Sequence, residues 1–191
     1  MTKQEIRVAM KRANRALSDT ERRAASERIW AQVAASAEFA AARCVALFCS
    51  LADEPDTAAV LASWSRLKRI VVPRVEGETM QFYDYDPATM VCGAFGIAEP
   101  GPRAGRCRPG EIDLLVVPGV AFARSGLRLG RGRGYYDHYL AQPGMRACRI
   151  GVCYAHQLVA DLPAEPHDAP MDRVVDDKDS FGTMRARGGG K

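Results

Sequence analysis

Residues 128–137 read RLGRGRGYYD, with arginines at 128, 131 and 133 and glycines at 130, 132 and 134. Glycines at alternate positions let backbone N–H groups approach an anion, and guanidinium forks match phosphate oxygens. No acid lies between Asp113 and Asp137, whereas Arg124 adds a fourth cation. The run follows a continuous apolar segment, 112–118 (IDLLVVP), and leads into 135–141, which starts a helix whose N-terminus adds positive dipole. In open α/β sheets ligands sit in such loops, at the carboxyl ends of strands. The run is neither a Walker A loop, which needs Gly-Lys-Ser/Thr, nor a GxGxxG fingerprint. Two other readings stay open from spacing: a flexible turn, and an RGG-like RNA-binding tract, which would be longer and repetitive.

Three further groups have chemistry. Lys3 and Arg7 stand four apart and share one helix face, which Lys11 extends. They read as a basic clamp on a polyphosphate or as a solvated face, and spacing alone favours the solvated face. Glu54, in Asp53-Glu54-Pro55-Asp56, follows an apolar strand; its carboxylate suits the paired N–H edge of a heterocycle, although plain turn chemistry accounts for the same residues. The late acids Asp137, Asp168 and Asp172 suit magnesium, which takes one or two carboxylates plus phosphate oxygens, and equally suit helix caps or loop charge. His138, His156 and His167 form neither a Ser-His-Asp order nor a His-Glu-x-x-His pattern.

The elements that must carry these groups follow from periodicity. Ile6, Met10, Ala13 and Leu17 predict an amphipathic helix over 3–17, and Ser18 with Glu21 forms a capping box opening a second. Residues 44–49 (CVALFC) read as a strand. Residues 53–56 make a turn, and Asp56 or Thr57 caps a helix to about residue 68. Segments 69–74 and 80–85 read as strands, 86–111 as a Gly/Pro-rich loop, 112–118 as a strand buried on both faces, and 119–134 as a long loop. Strands follow at 149–154 and 173–175. Strands alternating with helices imply an α/β fold with a largely parallel sheet.

Composition narrows the class. With 191 residues, 47% hydrophobic and 26% charged, the chain is an ordinary globule, expected as one domain over 1–182 with a basic, unstructured tail at 183–191. The net charge of +4 is local: without Arg185, Arg187 and Lys191 the 27 bases fall to 24 against 23 acids. A whole-protein footprint for nucleic acid is therefore not expected. The apolar run 114–123 is broken by Pro118 and Gly119, so no membrane span is expected, and the first residues lack an apolar signal segment. The six cysteines contain no Cys-x-x-Cys; Cys44, Cys49, Cys148 and Cys153 lie in apolar stretches and read as reduced core thiols of a cytoplasmic protein. A zinc site from Cys148, Cys153 and His156 lacks a fourth ligand.

Taken together these blocks resemble the 5-formyltetrahydrofolate cyclo-ligase (5,10-methenyltetrahydrofolate synthetase) family. The resemblance rests on Lys3-x-x-x-Arg7, on Asp53-Glu54-x-Asp56-Thr57 after a strand, on Asp113-Leu-Leu-Val-Val-Pro-Gly119 with Phe122, and on Gly126-x-Arg128-Leu-Gly-Arg-Gly-x-Gly-Tyr-Tyr-Asp137. Pro73-Arg74, Glu99-Pro100 and His167-Asp168 fit as well, so it spans residues 3–175. It implies a three-layer α/β/α fold of the NagB/RpiA-like type with a mainly parallel central sheet. It implies ATP- and magnesium-dependent cyclisation of 5-formyltetrahydrofolate (folinate) to 5,10-methenyltetrahydrofolate, with release of ADP and phosphate. ATP would be bound by Lys3, Gln4, Glu5, Ile6 and Arg7, and by Arg128, Leu129, Gly130, Arg131, Gly132, Arg133, Gly134, Tyr135 and Tyr136. The folate would meet Cys49, Glu54, Arg131, Gly132, Arg133, Gly134 and Tyr135. Arg131, Arg133 and Tyr135 would be catalytic, and Asp137 and Asp172 would hold magnesium.

Two positions depart from the family. Arg133 stands where lysine is common, exchanging a mobile point charge for a planar, bulkier cation. Cys49 replaces a larger apolar residue seen in some members. The expected partner is a small molecule, a folate with or without a polyglutamate tail, acting on a monomer away from nucleic acid and membrane. The competing readings are another small-molecule phosphotransferase using the same loop, for which folinate would not bind, and an RNA-binding module, whose affinity would fall with salt.

Overall fold

The computed structural model describes residues 1–93, 96–165 and 168–182. His167 and the expected tail at 183–191 lie outside them. Five helices and thirteen strands run in chain order: α1 (Lys3–Ala16), α2 (Asp19–Ala34), α3 (Ala37–Ala41), β1 (Cys44–Ala46), α4 (Ala58–Trp64), β2 (Arg69–Glu76), β3 (Thr79–Asp84), β4 (Met90–Cys92), β5 (Ala98–Pro100), β6 (Arg106–Cys107), β7 (Leu114–Pro118), β8 (Ala121–Ala123), β9 (Arg128–Leu129), α5 (Tyr135–Leu140), β10 (Cys148–Val152), β11 (Leu158–Val159), β12 (Arg173–Val175) and β13 (Ser180–Gly182). Eight strands form one sheet in the order β13-β12-β10-β7-β1-β2-β3-β6. Its five inner strands, from β12 to β2, run parallel, and β13, β3 and β6 are antiparallel additions at the edges.

The strand 112–118 starts two residues later than expected and is buried throughout. Its alternation divides two cores. Leu114 and Val116 pack with Ile29, Trp30 and Val33 of α2, whereas Leu115 and Val117 pack with Tyr139 and Leu140 of α5. Burying each such side chain favours folding by about 1.5–3 kcal/mol, so this strand fixes helices on both faces. Helix α2 opens with the expected capping box of Ser18 and Glu21, and α1 opens with one that was not anticipated, Thr2 with Glu5.

The regions read as loops hold more structure than composition suggests. Residues 86–111 carry the β4–β5 hairpin and the edge strand β6. Residues 119–134 carry β8 and β9, which form a separate three-stranded sheet with β11. Strands of two or three residues are too short to show alternation and exist only through distant pairing. The helix expected to reach residue 68 ends at Trp64, and Asp56 rather than Thr57 caps it, accepting the Ala58 N–H at 3.0 Å.

Candidate active site

A cleft of about 720 Å³ opens at the carboxyl ends of the parallel strands. Its walls come from α1 (Lys3, Arg7), the segment after β1 (Cys49, Leu51, Glu54), β2 (Pro73, Val75), β5 (Glu99) and the 128–137 loop. Parallel strand order gathers these distant segments at one end of the sheet.

The loop is held from below. Arg128, with 4% of its side chain exposed, gives Nη2 to both oxygens of Asp137 at 2.9 Å. Its guanidinium also lies 5.5 Å from the Tyr136 ring centre. A Cβ on Gly130 would stand 2.8 Å from Arg128 Nη1, so a side chain there would press on the guanidinium that Asp137 holds. Gly132 and Gly134 adopt φ of 99° and 71°, a conformation glycine tolerates and other residues resist. Leu129 is buried with Ile6, Ala121 and Ala123. Tyr135 and Tyr136 line the cleft with one side and press on the α5 core with the other. Burial, with the nearby Glu54 charge, pushes the Tyr136 phenol well above its ordinary value.

Arg131 joins the loop to the segment after β1. Its Nε and Nη2 donate to Glu54 Oε1 at 3.2 and 3.1 Å, and Nη2 also donates to Asp53 Oδ1 at 2.5 Å. The other Glu54 oxygen accepts the Leu51 N–H at 3.0 Å. Burial raises the Glu54 carboxyl, while the Leu51 N–H and Arg131 oppose the shift. Tyr154 donates to the Glu54 carbonyl at 3.0 Å, and Asn14 of α1 donates to the Asp53 carbonyl at 3.2 Å. The expected carboxylate is therefore a built feature rather than an exposed turn. Asp53 stands in the same block as Glu54, but Asn14 and Tyr154 were not legible, because each acts through contacts remote in sequence.

Of residues 3–7, two face the cleft. Arg7 Nε donates to the Gly130 carbonyl at 3.0 Å, and Lys3 pairs with Glu165 at 3.1 Å and Asp168 at 3.2 Å. Gln4 and Glu5 lie on the outer face of α1, and the Glu5 carboxylate caps the helix start. Ile6 is core. Helical rotation separates a contiguous run this way, so side-chain binding by Gln4, Glu5 and Ile6 is not what the structure arranges. Arg133 is exposed on the cleft rim and makes no hydrogen bond or ion pair among the described residues. Cys49 lines the cleft half-buried, and burial helped by the Glu99 charge pushes its thiol up to about 11.

The expected metal pair does not assemble. Asp137 lines the cleft, but both its oxygens serve Arg128. Asp172 lies at the other end of the sheet: it precedes β12, its N–H donates to the Arg149 carbonyl at 2.9 Å, and its carboxylate accepts the Arg149 N–H at 2.8 Å. The register puts Arg149 near the start of β10, whereas the cleft lies beyond the ends of the parallel strands. Among the described residues no group of three or more His, Cys, Asp or Glu is placed to hold a metal. Of the pair, Asp137 alone lines the cleft, where a magnesium would take its remaining ligands from a nucleotide, and among the described residues no preformed cage surrounds it.

Comparison with known proteins agrees with this arrangement. The model of the 5-formyltetrahydrofolate cyclo-ligase family matches residues 1–177. A 5-formyltetrahydrofolate cyclo-ligase of Mycolicibacterium smegmatis is 34% identical over 151 residues, covering 75% of this chain and 78% of that protein. One of Haemophilus influenzae is 31% identical over 180 residues, covering 91% and 96%. The solved structure of Aquifex aeolicus 5,10-methenyltetrahydrofolate synthetase superposes with a TM-score of 0.88 at 34% identity, covering 100% of this chain and 97% of that one. Likeness in sequence, in fold and along nearly the whole length leads to one conclusion: the chain belongs to the 5-formyltetrahydrofolate cyclo-ligase family.

Proposed function

We propose that this chain catalyses the ATP- and magnesium-dependent cyclisation of 5-formyltetrahydrofolate to 5,10-methenyltetrahydrofolate, releasing ADP and phosphate. The observation that carries the reading is Arg131, which touches the buried Glu54 carboxylate from within the Arg/Gly loop. A group that recognises N–H donors and a group that stabilises phosphoryl charge thereby meet in one cleft.

A formamide carbonyl is a poor electrophile. Phosphoryl transfer from the nucleotide turns its oxygen into a leaving group, after which the substrate's own N10 attacks the formyl carbon and phosphate departs. The chain's part is to bind, orient and exclude water. Glu54 orients the pterin through an N–H. Arg131 and the exposed Arg133 stabilise the transferred group; Arg7 and Lys3 flank the phosphates; Tyr135 and Tyr136 shield the cleft. Asp137 is the residue that would meet magnesium, sharing its carboxylate with Arg128; the ion would neutralise phosphate charge.

The three-layer, NagB/RpiA-like arrangement of one domain over 1–182 goes with this reading and is supported by cores on both sheet faces. A cytoplasmic monomer acting on folates, without nucleic acid, completes it; the six cysteines, all free, support a reducing compartment. Purified protein mixed with folinate and Mg-ATP should develop the near-ultraviolet absorbance of the conjugated methenyl product, and none when ATP is omitted. A folded protein that binds ATP but gives no such signal would replace this reading with a phosphotransferase acting on another small molecule.

A further inference from the structure

We propose that Glu99 is a second substrate-recognising carboxylate, accepting an N–H of the bound heterocycle from the β5 wall of the cleft. This rests on the folate reading above and deepens it. Glu99 lines the cleft and is 6% exposed. Among the described residues its carboxylate takes one hydrogen bond, from the Val75 N–H to Oε1 at a long 3.4 Å. No cation pairs with it among the described residues. Arg74, next to Val75 on β2, instead gives its guanidinium to Glu76 and to the carbonyls of Pro100 and Gly101.

A carboxylate has about four acceptor positions, and buried polar groups in proteins are normally satisfied. Glu99 has one long contact. Glu54 differs: Arg131 supplies one of its oxygens and Leu51 the other. Of the two buried acids in the cleft, Glu99 has the more acceptor capacity to spare, since three bonds from the protein already fall on Glu54. A reduced pterin offers a 2-amino group and ring N–H groups, more donors than one carboxylate can take.

The hairpin is shaped around this carboxylate. A Cβ on Gly93 would stand 2.2 Å from Glu99 Oε2, so the bare backbone at Gly93 makes room for it. Glu99 is also near enough to Cys49 for its charge to help hold that thiol protonated. A purely structural role, tying β5 to β2 through Val75, is the competing account. A neutral glutamine of the same shape keeps an acceptor for the Val75 N–H and so separates the two.

The test measures folinate and ATP separately. With Glu99→Gln the KM for folinate should rise roughly ten- to hundredfold, the loss of a charge-assisted bond, with the KM for ATP within about twofold and the melting temperature little changed. Direct folinate binding without nucleotide should weaken equally. Should that variant fold poorly, Gly93→Ala keeps the charge and displaces the carboxylate, and the same one-sided KM rise is expected. Equal changes in both KM values, or an unchanged folinate KM in a folded variant, would overturn the assignment while leaving the folate reading intact. Wild-type protein that neither binds nor converts folinate would remove both.

Discussion

Arg131 holds a carboxylate that would be costly without it. Its side chain is 43% exposed, whereas that of Glu54 is 8% exposed, so the pair is a buried acid served by a half-open base. Arg131→Ala removes the phosphoryl-stabilising cation and strands Glu54 together. Turnover should fall by roughly 100-fold or more, the scale of losing a transition-state charge donor. The stability effect carries a sign. Burial raises the folded carboxyl of Glu54, so its ionisation costs stability as pH rises through that value, and Arg131 reduces the cost. The variant's melting-temperature deficit should therefore shrink as pH is lowered through the folded Glu54 value. A deficit independent of pH would show that Arg131 does not stabilise the ionised acid. The sequence marked both residues as chemically apt, one as a strand-end carboxylate and one as a loop cation. It did not pair them, because 77 positions separate them and only the sheet brings them together.

At the scale of elements, the loop owes its shape to a staple between β9 and α5. Arg128 on β9 clasps Asp137 in the first turn of α5, and Arg7 of α1 holds the Gly130 carbonyl between them. The sequence showed the alternation of Arg and Gly and left Asp137 open between metal ligand, helix cap and loop charge; its buried Arg128 partner is a property of packing rather than spacing. Asp137→Asn should leave a nearly buried guanidinium uncompensated, a loss of about 3–5 kcal/mol. For a chain this long that is a drop on the order of 10 °C in melting temperature, measurable by calorimetry without any nucleotide. An unchanged melting temperature would mean that the staple is expendable and that Asp137 serves the ligand alone. Helix α1 shows the same division. Its period was legible and placed Lys3 and Arg7 on one face; the further reach of that face to Asn14, which holds both Asp53 and His156, depended on where α1 docks.

The whole molecule is a sheet whose cleft is walled by segments from residue 3 to residue 168, and its cysteines sample that architecture from edge to core. The apolar settings of Cys44, Cys49, Cys148 and Cys153 were legible as burial, but their grading was not, because it follows from what packs over each one: Cys107 is buried on the edge strand β6, whereas Cys148 on the inner strand β10 is half-buried. Cys44, Cys107 and Cys153 are buried, Cys49 and Cys148 are half-buried, and Cys92 is exposed. Only the thiolate attacks, so pH and burial act together. Cys92 should react with an alkylating reagent first. Cys49 and Cys148, each pushed up to about 11 with burial as the leading cause, should react slowly near pH 7, about tenfold faster per pH unit, and level off near that value. The three buried thiols should react only through opening of the fold, at a rate set by global stability. Folinate adds a second contrast: Cys49 lines the cleft, so bound folate should shield it directly, whereas Cys44, Cys107 and Cys153 should slow only by the stabilisation that ligand binding confers. Mass spectrometry of labelled peptides across pH 7–11 would read all six at once. Labelling of Cys49 as fast as Cys92 near neutral pH would mean that the cleft wall between β1 and β5 is open in solution.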